Sequence, residues 1–157
     1  MPPKNPIPEY LQTLSKPELC NMLEEIIEMD SDLKAKMVFR ADIGLNGAQP
    51  KQLKKLVTQA LPKKQIWRSA EVRNYFAKAN TIFDTFFDVS KSLSVDDQLK
   101  VYGIALDRLN MVLGTIDDSG GYRFGIENQI LSSIESTYNQ VEWKPQKLAK
   151  WVFETYI

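Results

Sequence analysis

Apolar residues along this chain recur at intervals of three and four, the spacing that places side chains on one face of a helix. Leu19, Met22, Leu23, Ile26 and Ile27 follow Ser15-Lys16-Pro17-Glu18. That tetrad sets a capping Ser three residues before a Glu, with Pro in the first turn. It predicts a helix over about residues 16–28. Asp30 is placed to cap a short second helix, with Leu33, Met37 and Val38 turned inward, before Gly44-Leu45-Asn46-Gly47 breaks the chain. Pro50 opens a third helix, with Leu53, Leu56, Val57 and Ala60 on one side and Lys51, Lys54 and Lys55 on the other, closed by Pro62. Ser69 is expected to cap a long helix over about residues 70–92, whose stripe is Val72, Phe76, Ala79, Phe83, Phe86 and Phe87, widened by Tyr75 and Ile82.

The cleanest periodicity comes next. Ser94 starts a helix in which Leu99, Tyr102, Leu106, Leu109, Leu113 and Ile116 alternate steps of three and four. Such a seam is expected to pack against a neighbouring helix, the preceding long one above all. Asp117-Asp118-Ser119-Gly120-Gly121 ends it, and a further helix carries Ile126, Ile130, Leu131, Ile134 and Tyr138. After Trp143, Lys144-Pro145 opens a last helix with Leu148, Trp151 and Val152. No stretch alternates with a period of two, so strands are not expected. The first ten residues hold Pro2, Pro3, Pro6 and Pro8, which reads as an extended leader over residues 1–14. The expected fold is all-α: a single domain over residues 15–157, a bundle or short TPR-like α-solenoid of six or seven helices.

Composition narrows the chemistry. A chain of 157 residues, 43% hydrophobic, has an ordinary globular make-up, and a domain this long buries roughly 70% of its unfolded surface without disulfides or metals. The single cysteine, Cys20, forms no internal disulfide and is expected as a buried, inert thiol. No signal-peptide pattern or membrane-length apolar run is present, which predicts a soluble, cytoplasmic protein. There is no histidine. The commonest general base and metal ligand is therefore missing, and neither catalysis, a cofactor nor a metal site is expected.

The chain is neutral overall, yet its charge is segregated. Residues 1–47 carry five bases against eight acids, and residues 79–157 carry seven against eleven. Between them, residues 48–78 carry Lys51, Lys54, Lys55, Lys63, Lys64, Arg68, Arg73 and Lys78 against Glu71 alone. This block is the main candidate contact site. It reads as a solvated helix face, as a dock for the acidic surface of a protein, or as a nucleic-acid site in which Trp67 and Tyr75 stack on bases. Asp117 and Asp118 suit a hard cation in principle, but two ligands are too few, and capping the following helix is the expected role. Asp84, Asp88, Asp96 and Asp97 form an exposed acidic patch. Phe83, Phe86 and Phe87 are expected in the core. Trp143, Trp151, Phe153 and Tyr156 concentrate apolar area near the C-terminus.

Several of these stretches together resemble a known region. Leu14-Ser15-Lys16-Pro17-Glu18-Leu19, running to Asp30-Ser31-Asp32-Leu33, is similar to the opening helix of the helical region found C-terminal to SWIM-type zinc fingers and of related uncharacterised bacterial helical domains. Leu53-Lys54-Lys55-Leu56-Val57, Ile66 to Phe83, the Asp117–Gly121 joint and Pro145-Leu148-Ala149-Trp151-Val152 resemble its later parts. The resemblance implies a helical interaction fold without catalytic residues. This chain has no zinc finger, so the finger's DNA-related role does not carry over. The reading is a non-catalytic protein-interaction module (an adaptor, an inhibitor or a subunit of a larger complex), with a small nucleic-acid-binding subunit as the alternative.

Overall fold

The computed structural model describes residues 4–141 and 145–156, without the side chains of 145, 148 and 155; Lys144, the side chain of Leu148 and, before the expected last helix, Trp143 lie outside what is described. Among the described residues there are eight helices and no strand. The fold is all-α, with more helices than the six or seven expected. The chain clusters into two compact units, Met1–Gly47 and Ala48–Ile157, where one domain over 15–157 was the expectation.

The first unit holds three helices. α1 spans Ile7–Thr13, where an extended leader was expected. The correction has a simple cause: Pro6 is the N-cap and Pro8 lies in the first turn, where no intrahelical N–H is required of it. α2 (Lys16–Met29) begins at a full capping box. The Glu18 N–H donates to Ser15 Oγ at 3.3 Å, and the Ser15 N–H donates to Glu18 Oε2 at 2.7 Å. Asp30 then accepts from the N–H groups of Asp32 and Leu33 and starts α3 (Ser31–Asn46). This helix is long rather than short. Gly44 lies inside it, and the break comes only at Gly47, the C-cap, whose φ of 81° is a conformation that favours glycine. Met37 and Val38 are exposed instead of turned inward, and none of the three helices buries a single residue.

The second unit holds the core. α4 (Pro50–Ala60) buries Leu53, Leu56, Val57 and Ala60, as its spacing predicts. α5 (Ser69–Ser90) buries Val72, Tyr75, Phe76, Ala79, Phe83, Phe86 and Phe87. Its N-cap is Arg68; Ser69 makes no cap, and its hydroxyl lies 3.4 Å from that of Tyr122. α6 (Val95–Leu113) is capped by Ser94, which accepts from the Asp97 N–H. α7 (Phe124–Tyr138) buries Ile126, Ile130 and Ile134, and α8 spans Pro145–Tyr156.

α6 meets α5 as expected, but through side chains, while its more extensive backbone packing is with α4 and α7. α4 packs on both α5 and α6, α6 packs on α7, and α5 touches α7. The four helices thus form a ring in which α5 and α6 are diagonal. They meet across the core through side chains: the Phe86 and Phe87 rings lie 6.0 and 6.3 Å from the Tyr102 ring, and the Ser90 and Tyr102 hydroxyls are 2.8 Å apart. Because α6 has neighbours on two sides, its buried face is wider than a two-helix seam. Val101, Ala105 and Val112 join Leu99, Tyr102, Leu109 and Ile116 in the core, while Leu106 and Leu113 are only half-buried.

Phe86 sits at the centre of this diagonal, in edge contact with Phe83, Phe87 and Tyr102. Phe86→Ala is expected to lower stability by about 3–5 kcal/mol, since it removes a buried ring and leaves a cavity. Urea unfolding followed by circular dichroism measures this, and a loss below about 1 kcal/mol would show that the ring does not anchor the core.

Candidate interaction surface

The basic block is built on three pieces of backbone. On α4, Lys51, Lys54 and Lys55 are exposed on the side away from the buried Leu53, Leu56 and Val57. The connection from α4 to α5 exposes Lys63, Lys64, Trp67 and Arg68. On α5, Arg73 and Lys78 are both exposed, but they are five residues apart and so lie on opposite flanks of the core stripe.

The α4–α5 connection is held in place although it is not helical. Arg108 Nε donates to the Leu61 carbonyl at 2.8 Å, the Tyr75 hydroxyl to the Pro62 carbonyl at 2.8 Å, and Thr115 Oγ1 to the Lys64 carbonyl at 2.8 Å. Ile66 makes an isolated parallel bridge to Ile116: its N–H donates to the Thr115 carbonyl and its own carbonyl accepts from the Asp117 N–H. The segment is therefore tied to α5 and to the end of α6 along its length. Leu61 and Ile66 are buried, and Trp67, the next residue, is 69% exposed.

Beside this segment runs a groove of about 510 Å³ between the end of α4 and the first half of α5. Lys64 and Lys78 both line it, with Gln59, Gln65, Asn74 and Glu71 adding polar groups and Ile66, Tyr75 and Ile82 adding apolar ones. The structure therefore brings Lys64 and Lys78 to one groove, keeps Lys51, Lys54 and Lys55 together on α4, and leaves Arg73 apart. Arg68 pairs weakly with Glu71, at 3.9 Å. Among the described residues the other seven cations make no ion pair.

The two aromatics proposed for stacking separate. Tyr75 is buried in the core and its hydroxyl is committed to Pro62; Trp67 is exposed, between Lys64 and Arg68 in the sequence. The signal for Trp67 was its place between two helical stripes, on a segment with no apolar periodicity.

The remaining candidates take structural roles. The buried carboxylate of Asp118 accepts from the Tyr122 and Arg123 N–H groups at 2.8 and 3.1 Å and faces the Arg123 guanidinium at 3.4 Å, so it organises the joint before α7. Among the described residues, no three Cys, Asp or Glu side chains gather to hold a metal. Asp84, Asp88 and Asp96 are exposed, and Asp96 pairs with Lys147 at 2.9 Å. Trp151 packs between Tyr138 and Tyr156, while Phe153 is exposed. Cys20 is exposed, against expectation. The reason is that α2 reaches no core, so even the inner side of its stripe stays open to solvent.

No protein-family model, curated protein or solved structure matches this chain. Among the described residues, no helix is long and apolar enough to cross a membrane.

Burial pushes the Tyr75 hydroxyl up to about 12, against a partial pull downward from Arg108. The folded protein holds this proton more tightly than the unfolded chain, whose tyrosines titrate near 10. The stabilisation is complete below pH 10 and is lost as pH rises through 12. Relative to Tyr75→Phe, the wild type is expected to lose on the order of 1 kcal/mol between pH 9 and 11. Urea titrations at the two pH values measure it, and parallel curves for both proteins would remove Tyr75 from the alkaline transition.

Proposed function

We propose that this chain is a non-catalytic helical interaction module that docks the acidic surface of a protein partner on residues 51–78. One observation carries the reading: among the described residues seven exposed cations of residues 51–78 make no ion pair, and Trp67 is exposed between Lys64 and Arg68 in a segment whose backbone is held by side-chain hydrogen bonds. Unpaired cations of one sign steer an anionic partner and accelerate encounter. Trp is among the residues that most often anchor an interface, and a pre-held backbone lowers the ordering cost of binding. The lack of histidine supports a role without acid–base chemistry. The resemblance to the helical region of SWIM-finger proteins supports the same class. A cytoplasmic setting fits, because a lone exposed thiol stays reduced there.

A second reading is favoured by Trp67 itself. A single-stranded nucleic acid would stack a base on its open face while the lysines neutralise phosphates. The two readings differ in salt dependence. Binding to an oligonucleotide would fall steeply between low and physiological salt, whereas a protein interface anchored by Trp67 would persist.

The test is the variant Lys54→Glu/Lys55→Glu/Lys63→Glu/Arg68→Glu beside Trp67→Ala, used as bait in affinity purification and titrated with single-stranded oligonucleotides at both salts. The charge reversal is expected to abolish capture of the partner, and Trp67→Ala to weaken it about tenfold or more, as loss of an anchor does. If the partners are retained by both variants, the block is only a solvated surface. If the wild type binds the oligonucleotide with an affinity that falls steeply as salt rises, and both variants lose that binding, the second reading replaces the first.

A further inference from the structure

We propose, building on the reading of residues 51–78 as a protein dock, that the groove beside Lys64 and Lys78 takes a short extended segment of the partner. An acidic side chain of that segment meets the two lysines, and an apolar one lies on the groove's apolar lining. Every residue of the lining belongs to the second unit. One wall is α5 from Glu71 to Ile82, eleven residues further on and about 16 Å along the helix. That is the length of about five extended residues. The other wall is the end of α4 and the connection that follows it. The two are tied together: Tyr75 on α5 donates its hydroxyl to the Pro62 carbonyl at 2.8 Å, so the groove's width is set before anything enters it. Pro62 and Ile82 are half-buried and supply accessible apolar surface next to the buried Ile66 and Tyr75.

The backbone of the connection suits an extended occupant. Ile66 gives its N–H and its carbonyl to the end of α6. Along an extended strand these groups alternate in direction, so those of Gln65 turn away from α6. Among the described residues neither backbone group of Gln65 has a hydrogen-bond partner in the protein, and Gln65 lines the groove. Gln59 and Asn74 add exposed carboxamides that both donate and accept, and no side-chain hydrogen bond holds either of them. An extended peptide brings N–H and carbonyl groups that need both kinds of partner, as in strand addition to an open edge. A helical segment has already paired its backbone groups and would leave these unused.

The charges select an acidic peptide over a phosphate chain. Lys64 and Lys78 make no ion pair among the described residues. Glu71 lines the same groove, about 10 Å before Lys78 along α5. A single-stranded nucleic acid carries a charge at each nucleotide and would set one against Glu71. A peptide is free to place an acid at Lys78 and an uncharged residue at Glu71.

Heptapeptides displayed on phage and selected on the full chain test this. The enriched sequences are expected to combine an acidic residue with an apolar one. A synthetic peptide of such a sequence, blocked at both ends, is then titrated by fluorescence polarisation. Asn74→Phe, which fills the groove from an exposed position on α5, and Lys78→Glu should each weaken it about tenfold or more with helicity unchanged by circular dichroism. Lys51→Glu, outside the groove, should bind as the wild type does. N-methylation of the peptide's central amides should weaken it about fivefold or more, through lost backbone pairing. Failure to enrich any peptide, or enrichment of peptides without an acid, overturns the proposal. So does a peptide that binds Asn74→Phe unchanged, and that result leaves the wider dock on residues 51–78 standing. If instead Asn74→Phe loses the peptide while the fourfold charge reversal still captures its partners, the groove stands and the wider dock fails. Unchanged binding of the N-methylated peptide overturns the extended pairing. An oligonucleotide that displaces the peptide and is itself lost in Asn74→Phe overturns the peptide assignment in favour of nucleic acid.

Discussion

The connection between α4 and α5 has no helix of its own to satisfy its carbonyls, and the rest of the second unit supplies that need. Backbone polar groups left unpaired away from water cost about as much as a lost hydrogen bond. Here Arg108, Tyr75, Thr115 and the Asp117 N–H each donate to one carbonyl of residues 61–66. Two of those donors come from the residues that follow α6, one from α6 itself and one from α5. The connection therefore keeps its course only while the helices keep theirs, and Lys63, Lys64, Trp67 and Arg68 inherit fixed positions from it. Surface cations on a free loop would have to be ordered on binding; these are carried by an already ordered backbone.

The diagonal across the bundle gives the same unit its rigidity. Aromatic rings are large enough to reach across a ring of four helices where aliphatic side chains would leave a gap. Phe83, Phe86 and Phe87 from α5 fill that space with Tyr102 from α6, in edge and tilted contacts between 5.3 and 6.3 Å. Tyr102 brings a hydroxyl into the core with it. Ser90, fully buried, answers it at 2.8 Å and donates or accepts there beside the Phe87 carbonyl. The polar pair is satisfied, so it fixes which turn of α5 faces which turn of α6 instead of weakening the packing.

What could be read from residues alone follows from which signals are local. Caps are local, and Ser15, Asp30, Pro50 and Ser94 start helices as their chemistry dictates. Stripe membership is nearly local, so Leu53, Phe76, Phe83, Leu109 and Ile130 are buried as the spacing implies. Which helix lies beside which is not local. The regular seam of α6 points to some neighbour, but nothing in steps of three and four distinguishes an adjacent helix from a diagonal one. Whether a stripe has anything to pack on is not local either, which is why Val38 and Cys20 are exposed despite lying on apparently inward faces. Pro6 and Pro8 mislead for the opposite reason: proline forbids the interior of a helix but not its first turn. For the basic surface, the eight cations were legible as a charge block. That Lys64 and Lys78 share a groove while Arg73 leaves it depended on the angle between positions on α5, and the exposure of Trp67 depended on a backbone tied down by residues fifty positions away.

Charge and packing divide the chain at the same place. The acidic, coreless unit ends at Gly47, and the strongly basic segment begins directly after it, with the first helix of the bundle. A helix whose outer face carries Lys51, Lys54 and Lys55 gains little from intrahelical pairing, since no acid lies at the following turns of α4 to balance them. Its stability must then come from Leu53, Leu56, Val57 and Ala60, all buried against α5 and α6. Those four contacts allow the rest of α4 to be given over to unpaired positive charge. The basic surface is in this sense a consequence of the core: the better the inner face of α4 is packed, the more like charge its outer face tolerates.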